Sequence, residues 1–135
     1  MTITIDDFAK VEARVGTVKS AEKVPDADKL LKIIFDFGPK EILKQVQDDS
    51  NEIAADSSSP RNDEERDIRQ IMAAIAPFYP DPEVLVGKQL LVCTNLETRK
   101  LRGYESQGMI MATDNEDGIV FLVPEKPVPA GAKLH

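Results

Sequence analysis

Leu30-Leu31-Lys32-Ile33-Ile34-Phe35-Asp36-Phe37 is an apolar run closed by Gly38-Pro39. Its length, its branched and aromatic content and the breakers after it give a strand. Before it, Pro25-Asp26-Ala27-Asp28 is turn chemistry, and residues 17–24 read as extended. Val11, Ala13 and Val15 alternate with Glu12 and Arg14, the period of two of another strand. Gly16 then predicts a bulge or sharp bend. At the start, Thr4 is placed to cap a short helix with Asp6 and Asp7 in its first turn.

After the run, residues 69–76 predict a strand, because the apolar stretch is short and Pro77 follows it. Tyr79-Pro80-Asp81-Pro82-Glu83 is a turn leading into Val84-Leu85-Val86-Gly87. Residues 89–95 and 108–113 read as strands. Asp114-Asn115-Glu116-Asp117-Gly118 is a hairpin turn from which residues 119–123 pair back. Pro124, Pro127, Pro129 and Gly131 make the tail extended. About five main strands, little helix and no alternation of strands with helices give an all-β class with small α content. The architecture expected is a five-stranded oligonucleotide/oligosaccharide-binding barrel with a C-terminal extension. A β-sandwich is the alternative, for which the strand count is low.

At 135 residues the chain is expected to form one domain with one modest core. No stretch approaches 18 apolar residues and no basic-then-apolar leader opens the chain, so neither a membrane span nor a secretory signal is expected. The single cysteine, Cys93, excludes an internal disulfide and fits the reducing cytoplasm. Its apolar neighbours suggest a small buried hydrophobe. Residues 39–66 do not fit a barrel, being too polar to bury a core. They read as an acidic insertion between the second and third strands, with one or two helical turns from Glu41 to Gln47. The strings Ile42-Leu43-Lys44-Gln45-Val46-Gln47-Asp48-Asp49 and Ser57-Ser58-Ser59-Pro60-Arg61-Asn62-Asp63-Glu64 resemble translated palindromic genomic repeats of some bacterial genes. An acidic interaction segment is the functional alternative.

The net charge of −7 argues against indiscriminate nucleic-acid binding. The charge is unevenly spread, however: residues 39–68 hold nine acids and four bases, a net −5, which leaves −2 for the rest. Local potential governs docking more than net charge. The stretch Arg99-Lys100-Leu101-Arg102, held between the apolar runs Leu90-Leu91-Val92-Cys93 and Met109-Ile110-Met111-Ala112, is a basic loop suited to a phosphate backbone.

Outside the insertion the chain resembles the tRNA-binding domain family. Its members are C-terminal domains or separate beta subunits of methionyl-tRNA synthetase, or free-standing structure-specific tRNA-binding proteins. The resemblance lies in Ile5-Asp6-Asp7-Phe8, Arg14-Val15-Gly16, Pro25-Asp26-Ala27-Asp28-Lys29-Leu30 and Asp36-Phe37-Gly38. It continues through Leu85-Val86-Gly87-Lys88, Asn95-Leu96, Arg99-Lys100-Leu101-Arg102-Gly103, Glu105-Ser106-Gln107-Gly108-Met109 and Pro127-Val128-Pro129-Ala130-Gly131. It implies the same barrel, often homodimeric, recognising tRNA by shape near the corner of the L. The residues agree, because there is no Trp and few rings are left to stack bases, whereas duplex RNA is read through backbone and 2′-hydroxyl contacts. One departure is Ala73-Ala74, where family members often have Ser-Gly.

On this resemblance Arg99, Lys100 and Arg102 are the phosphate contacts. Asn95 and Ser106 either bond ribose and backbone or pin the loop. Gln107-Gly108-Met109 lets backbone approach RNA, with core as the other place for Met109. Arg14, Lys29 and Lys32 extend the cationic face, and for Arg14 and Lys32 a plain exposed strand face is the alternative. Asp26 and Asp28 are ordinary turn carboxylates, so no metal or other cofactor is expected. One terminal histidine, His135, and no nucleophile or phosphate-cradling motif exclude a catalytic reading. The function expected is a non-catalytic tRNA-binding module, alone or with the catalytic subunit of methionyl-tRNA synthetase, dimerising from about Ile119 onward. The alternatives are a dimeric chaperone-like or protein-binding module, and a remnant that no longer binds.

Overall fold

The computed structural model describes residues 1–25, 27–40 and 66–135. The expectations for Asp26, for the helical turns from Glu41 to Gln47 and for the body of the polar segment lie outside the described residues.

A single turn of helix, α1 (Ile5–Phe8), opens the chain. Asp7 N–H donates to the Thr4 hydroxyl at 3.1 Å and Thr4 N–H donates to the Asp7 carboxylate at 3.4 Å, a capping box. No residue of α1 is buried.

Five antiparallel strands follow as one curled sheet, a half-barrel of the oligonucleotide-binding kind. They are β1 (Ala13–Val24), β2 (Ala27–Pro39), β3 (Arg66–Ala73), β4 (Gln89–Cys93) and, after a hairpin, β7 (Met109–Ile110). The sheet order is β3-β2-β1-β4-β7. The intervening hairpin is β5 (Arg99–Leu101) with β6 (Tyr104–Ser106), and a last one is β8 (Ala112–Asn115) with β9 (Gly118–Phe121).

β1 is long enough to serve two partners. Residues 13–17 pair with β4, and 17–24 pair with β2. The edge beside residues 13–15 that β4 does not use is taken by the C-terminal tail. Val15 N–H donates to the Ala132 carbonyl (2.9 Å), Gly131 N–H to Val15 (2.7 Å) and Leu134 N–H to Ala13 (2.9 Å). The tail is therefore part of the sheet's hydrogen bonding.

Strand alternation puts Val18, Leu31, Ile33, Phe35, Phe37, Ile71, Leu90 and Val92 on one face, all buried. Each such side chain contributes about 1.5–3 kcal/mol relative to exposure. The Phe35 and Phe37 rings stack at 5.7 Å. Gly16 corrects the expectation of a bulge. β1 runs through it, paired with Leu90, and its irregularities fall between Val18 and Ser20 and between Lys23 and Val24. Gly16 is required for room: a Cβ there would lie 2.7 Å from Phe37 and 2.8 Å from Phe35.

Further boundaries move for local reasons. The strand expected over residues 69–76 starts at Arg66 and stops at Ala73, and Pro77 enters a 3-10 turn, Ala76–Phe78. The strand expected over 108–113 breaks at Met111. There Met111 N–H donates to Leu91, and its carbonyl accepts from Leu122 N–H. The turn at residues 114–118 is as expected, with the Asn115 carboxamide accepting from Asp117 and Gly118 N–H. Cys93 is buried.

Candidate nucleic-acid interface

The basic stretch is a hairpin rather than a loop. Leu101 pairs with Tyr104, and the two residues between them, Arg102 (φ 55°) and Gly103 (φ 86°), both adopt left-handed backbone. That is the signature of the tight turn whose twist matches a β-hairpin. Leu101 and Tyr104 pack on a small apolar cluster of Val24, Ala27, Leu30 and Met72, which joins the hairpin to the β1–β2 turn.

Between hairpin and turn lies a groove of about 600 Å³. Lys29 lines it from the β1–β2 turn, Lys100 and Arg102 from the hairpin, and Leu30 and Leu101 add apolar lining. Asp28 is its one carboxylate among the described residues. None of the three cations forms an ion pair among the described residues. Three cations against the one described carboxylate leave the groove's described lining net positive.

The hairpin is held to β3 by side chains standing in for a strand ladder. Gln107 N–H donates to the Gln70 carbonyl (2.8 Å), and Gln70 N–H donates to the Gln107 carboxamide (2.9 Å). The buried Ser106 hydroxyl accepts from Met72 N–H (3.0 Å) and donates to the Gly108 carbonyl (3.2 Å). Gln70 also donates to the Glu105 carbonyl. Ser106 and Gln107 therefore pin the hairpin. Asn95 does the same at its other end, donating to the Lys10 carbonyl (2.6 Å) and accepting from Glu12 N–H (2.8 Å).

Not every expected cation joins the groove. Arg14 is 8% exposed and its guanidinium lies 3.2 Å from Asp67. This corrects both the cationic-face and the exposed-strand expectations for it. Lys32 is 2.9 Å from Glu22, a paired charge on the strand surface. Arg99 points away from Lys100, since successive strand residues face opposite sides. It lines a separate cleft with Met109, which is 47% exposed and not core, and with Ala73 and Ala74.

Sequence reasoning missed Arg69. Its guanidinium donates to the carbonyls of Thr94 (2.7 Å) and Gln107 (3.4 Å), the residues where the chain leaves and regains the sheet around the hairpin. Asp67 steadies it at 3.0 Å, and it lies 5.5 Å over the Phe37 ring. Asp67, Arg69 and Ile71 share one face of β3. That spacing was the only signal available. Among the described residues no cluster of His, Cys, Asp or Glu is arranged to hold a metal. No helix among them is long and apolar enough to cross a membrane.

The model of the family described as "Putative tRNA binding domain" matches residues 62–133. The chain is 39% identical over 133 residues to a methionine–tRNA ligase of Methanospirillum hungatei, covering 98% of the chain and 16% of that protein. It is likewise 39% identical over 132 residues to the methionine–tRNA ligase of Thermotoga maritima. The chain thus spans about one-sixth of the length of these curated relatives. Among solved structures it is similar to a MetRS-related protein from Pyrococcus horikoshii, with TM-score 0.73 and 32% identity over 100% of this chain and 99% of that one. A chaperone CsaA from Bacillus anthracis shares the fold, with TM-score 0.70 and 22% identity over the whole of both chains.

Proposed function

The chain belongs to the family of putative tRNA-binding domains, and from that premise we propose that it binds folded tRNA along the groove of Lys29, Lys100 and Arg102. The convergence on one groove of three cations with no ion pair among the described residues carries this reading. Contacts go to phosphates and ribose, so recognition is by backbone shape. The rings support it. Phe35 and Phe37 are buried, Tyr79 and Phe121 stack on each other at 5.6 Å, and none of the described residues lining the groove is aromatic.

The module has no chemistry of its own. Its proposed role is to raise the effective tRNA concentration at a methionyl-tRNA synthetase catalytic unit in the cytoplasm. The expected homodimer would use the exposed Val120, Leu122 and Val123, because residues 131–134 are already paired with β1. The polar segment at 39–66 is proposed as an insertion into one domain, lowering RNA affinity through its acidic charge.

One observation favours the alternative of a protein-binding module: Phe78, Val84, Val86 and Val123 are exposed. Fluorescence anisotropy with labelled folded tRNA separates the two readings. The RNA reading expects binding that Lys29→Ala/Lys100→Ala/Arg102→Ala weakens and Val84→Ser/Val86→Ser leaves intact. Absence of binding by the folded wild-type protein would reject it.

A further inference from the structure

The hairpin β5–β6 has a second face, where Arg99 overlooks a cleft of about 410 Å³. Met72, Ile75, Met109 and Phe121 line it, and the exposed Ala74 is at its side. Leu30 and Leu101 line both this cleft and the cationic groove, so one apolar ridge separates the two. We propose that the cleft takes a single unpaired nucleobase of an RNA whose backbone lies in the cationic groove; this rests on the RNA reading above.

The chemistry on the page suits a base. Among the described residues Arg99 is the one charged member of the lining and has no ion pair. Its planar guanidinium offers a stacking surface of the kind that unpaired RNA bases use. The thioethers of Met72 and Met109 are soft and polarizable and adapt to a flat ring. The Ser106 hydroxyl is already committed to Met72 N–H and the Gly108 carbonyl. The lining therefore favours a π-face over a strongly polar group. Continuity with the groove decides for a base over an apolar peptide side chain, because a strand held at Lys29 and Lys100 needs only to turn one base across the Leu30–Leu101 ridge. The chain then reads one extruded base beside a stretch of backbone.

The test uses the full chain with its methionine methyls labelled with carbon-13, titrated with folded tRNA and, separately, with inorganic polyphosphate. Binding of each is followed in parallel by anisotropy competition. The base site predicts ring-current shifts of the Met72 and Met109 methyls with tRNA and none with polyphosphate, while Met1 and Met111 stay in place. Ala74→Leu, which fills the cleft from an exposed position, should cost about tenfold in tRNA affinity, as for the loss of one stacked base. It should leave the salt dependence unchanged, since no phosphate contact is lost. Bound tRNA with unmoved Met72 and Met109 methyls overturns the base site alone. Absence of tRNA binding overturns the RNA reading and the base site with it.

Discussion

Replacing Asp67 with asparagine should lower the melting temperature by roughly 6–20 °C. Asp67 accepts from Arg14 at 3.2 Å and from Arg69 at 3.0 and 3.3 Å, so one carboxylate neutralises two guanidiniums. The side chains of Arg14, Asp67 and Arg69 are 10%, 22% and 23% exposed. Removing one partner of a fully buried pair costs about 3–5 kcal/mol, and partial access of solvent here brings that to about 2–4 kcal/mol. A domain of this size loses about 3–5 °C for each kcal/mol. Asparagine keeps the shape, so the change isolates the charge. It also turns an amide N–H towards a guanidinium, in a site where Arg14 Nε already lacks a partner. Thermal unfolding followed by circular dichroism measures it, with the exposed Asp114→Asn as a control. A melting temperature within about 2 °C of wild type would refute the claim that the Asp67 charge is needed to hold the two guanidiniums in this network.

Two further substitutions probe the frame and the hairpin. Gly16→Ala forces a methyl against the fully buried Phe35 and Phe37 rings and should cost about 1–3 kcal/mol by overpacking, read as a shifted urea midpoint with unchanged slope. Arg102→Asn should leave stability equal or raise it by a few tenths of a kcal/mol, because asparagine tolerates the left-handed turn better. The same change removes a groove cation, so tRNA affinity should fall. A melt and a titration on one sample test these opposite signs.

Much of the frame is legible in the sequence, because the strands carry their own signals. The run from Leu30 to Phe37 and the Asn115–Gly118 turn are local patterns, and both form as expected. Gly16 shows the limit. A glycine needed for room has the same letter as one needed for a bend, and the rings it admits are on a strand twenty residues away. Arg14 failed for a related reason. In the sequence its partner, Asp67, reads with the acids of the polar segment, and only the folded sheet brings the two together. Among the cations, Lys29, Lys100 and Arg102 are expected on one cationic face, and the structure brings them to one groove. Arg99 was not separable from Lys100 until the loop proved to be a strand pair with two faces. For Asn95 and Ser106 the sequence offers contact or support, and for Gln107 only a close approach of backbone to RNA; the hydrogen bonds give all three a supporting role.

The most direct test of the groove is the salt dependence of tRNA binding, measured from 50 to 200 mM for wild type and for Lys29→Ala/Lys100→Ala/Arg102→Ala. Each phosphate contact contributes about 0.9 to the slope of log affinity against log salt, so three contribute about 2.7 and roughly a 40-fold loss across that range. The account predicts that the triple variant binds more weakly and with a slope shallower by about that amount. An unchanged slope in a folded variant would contradict it and move RNA recognition away from this groove.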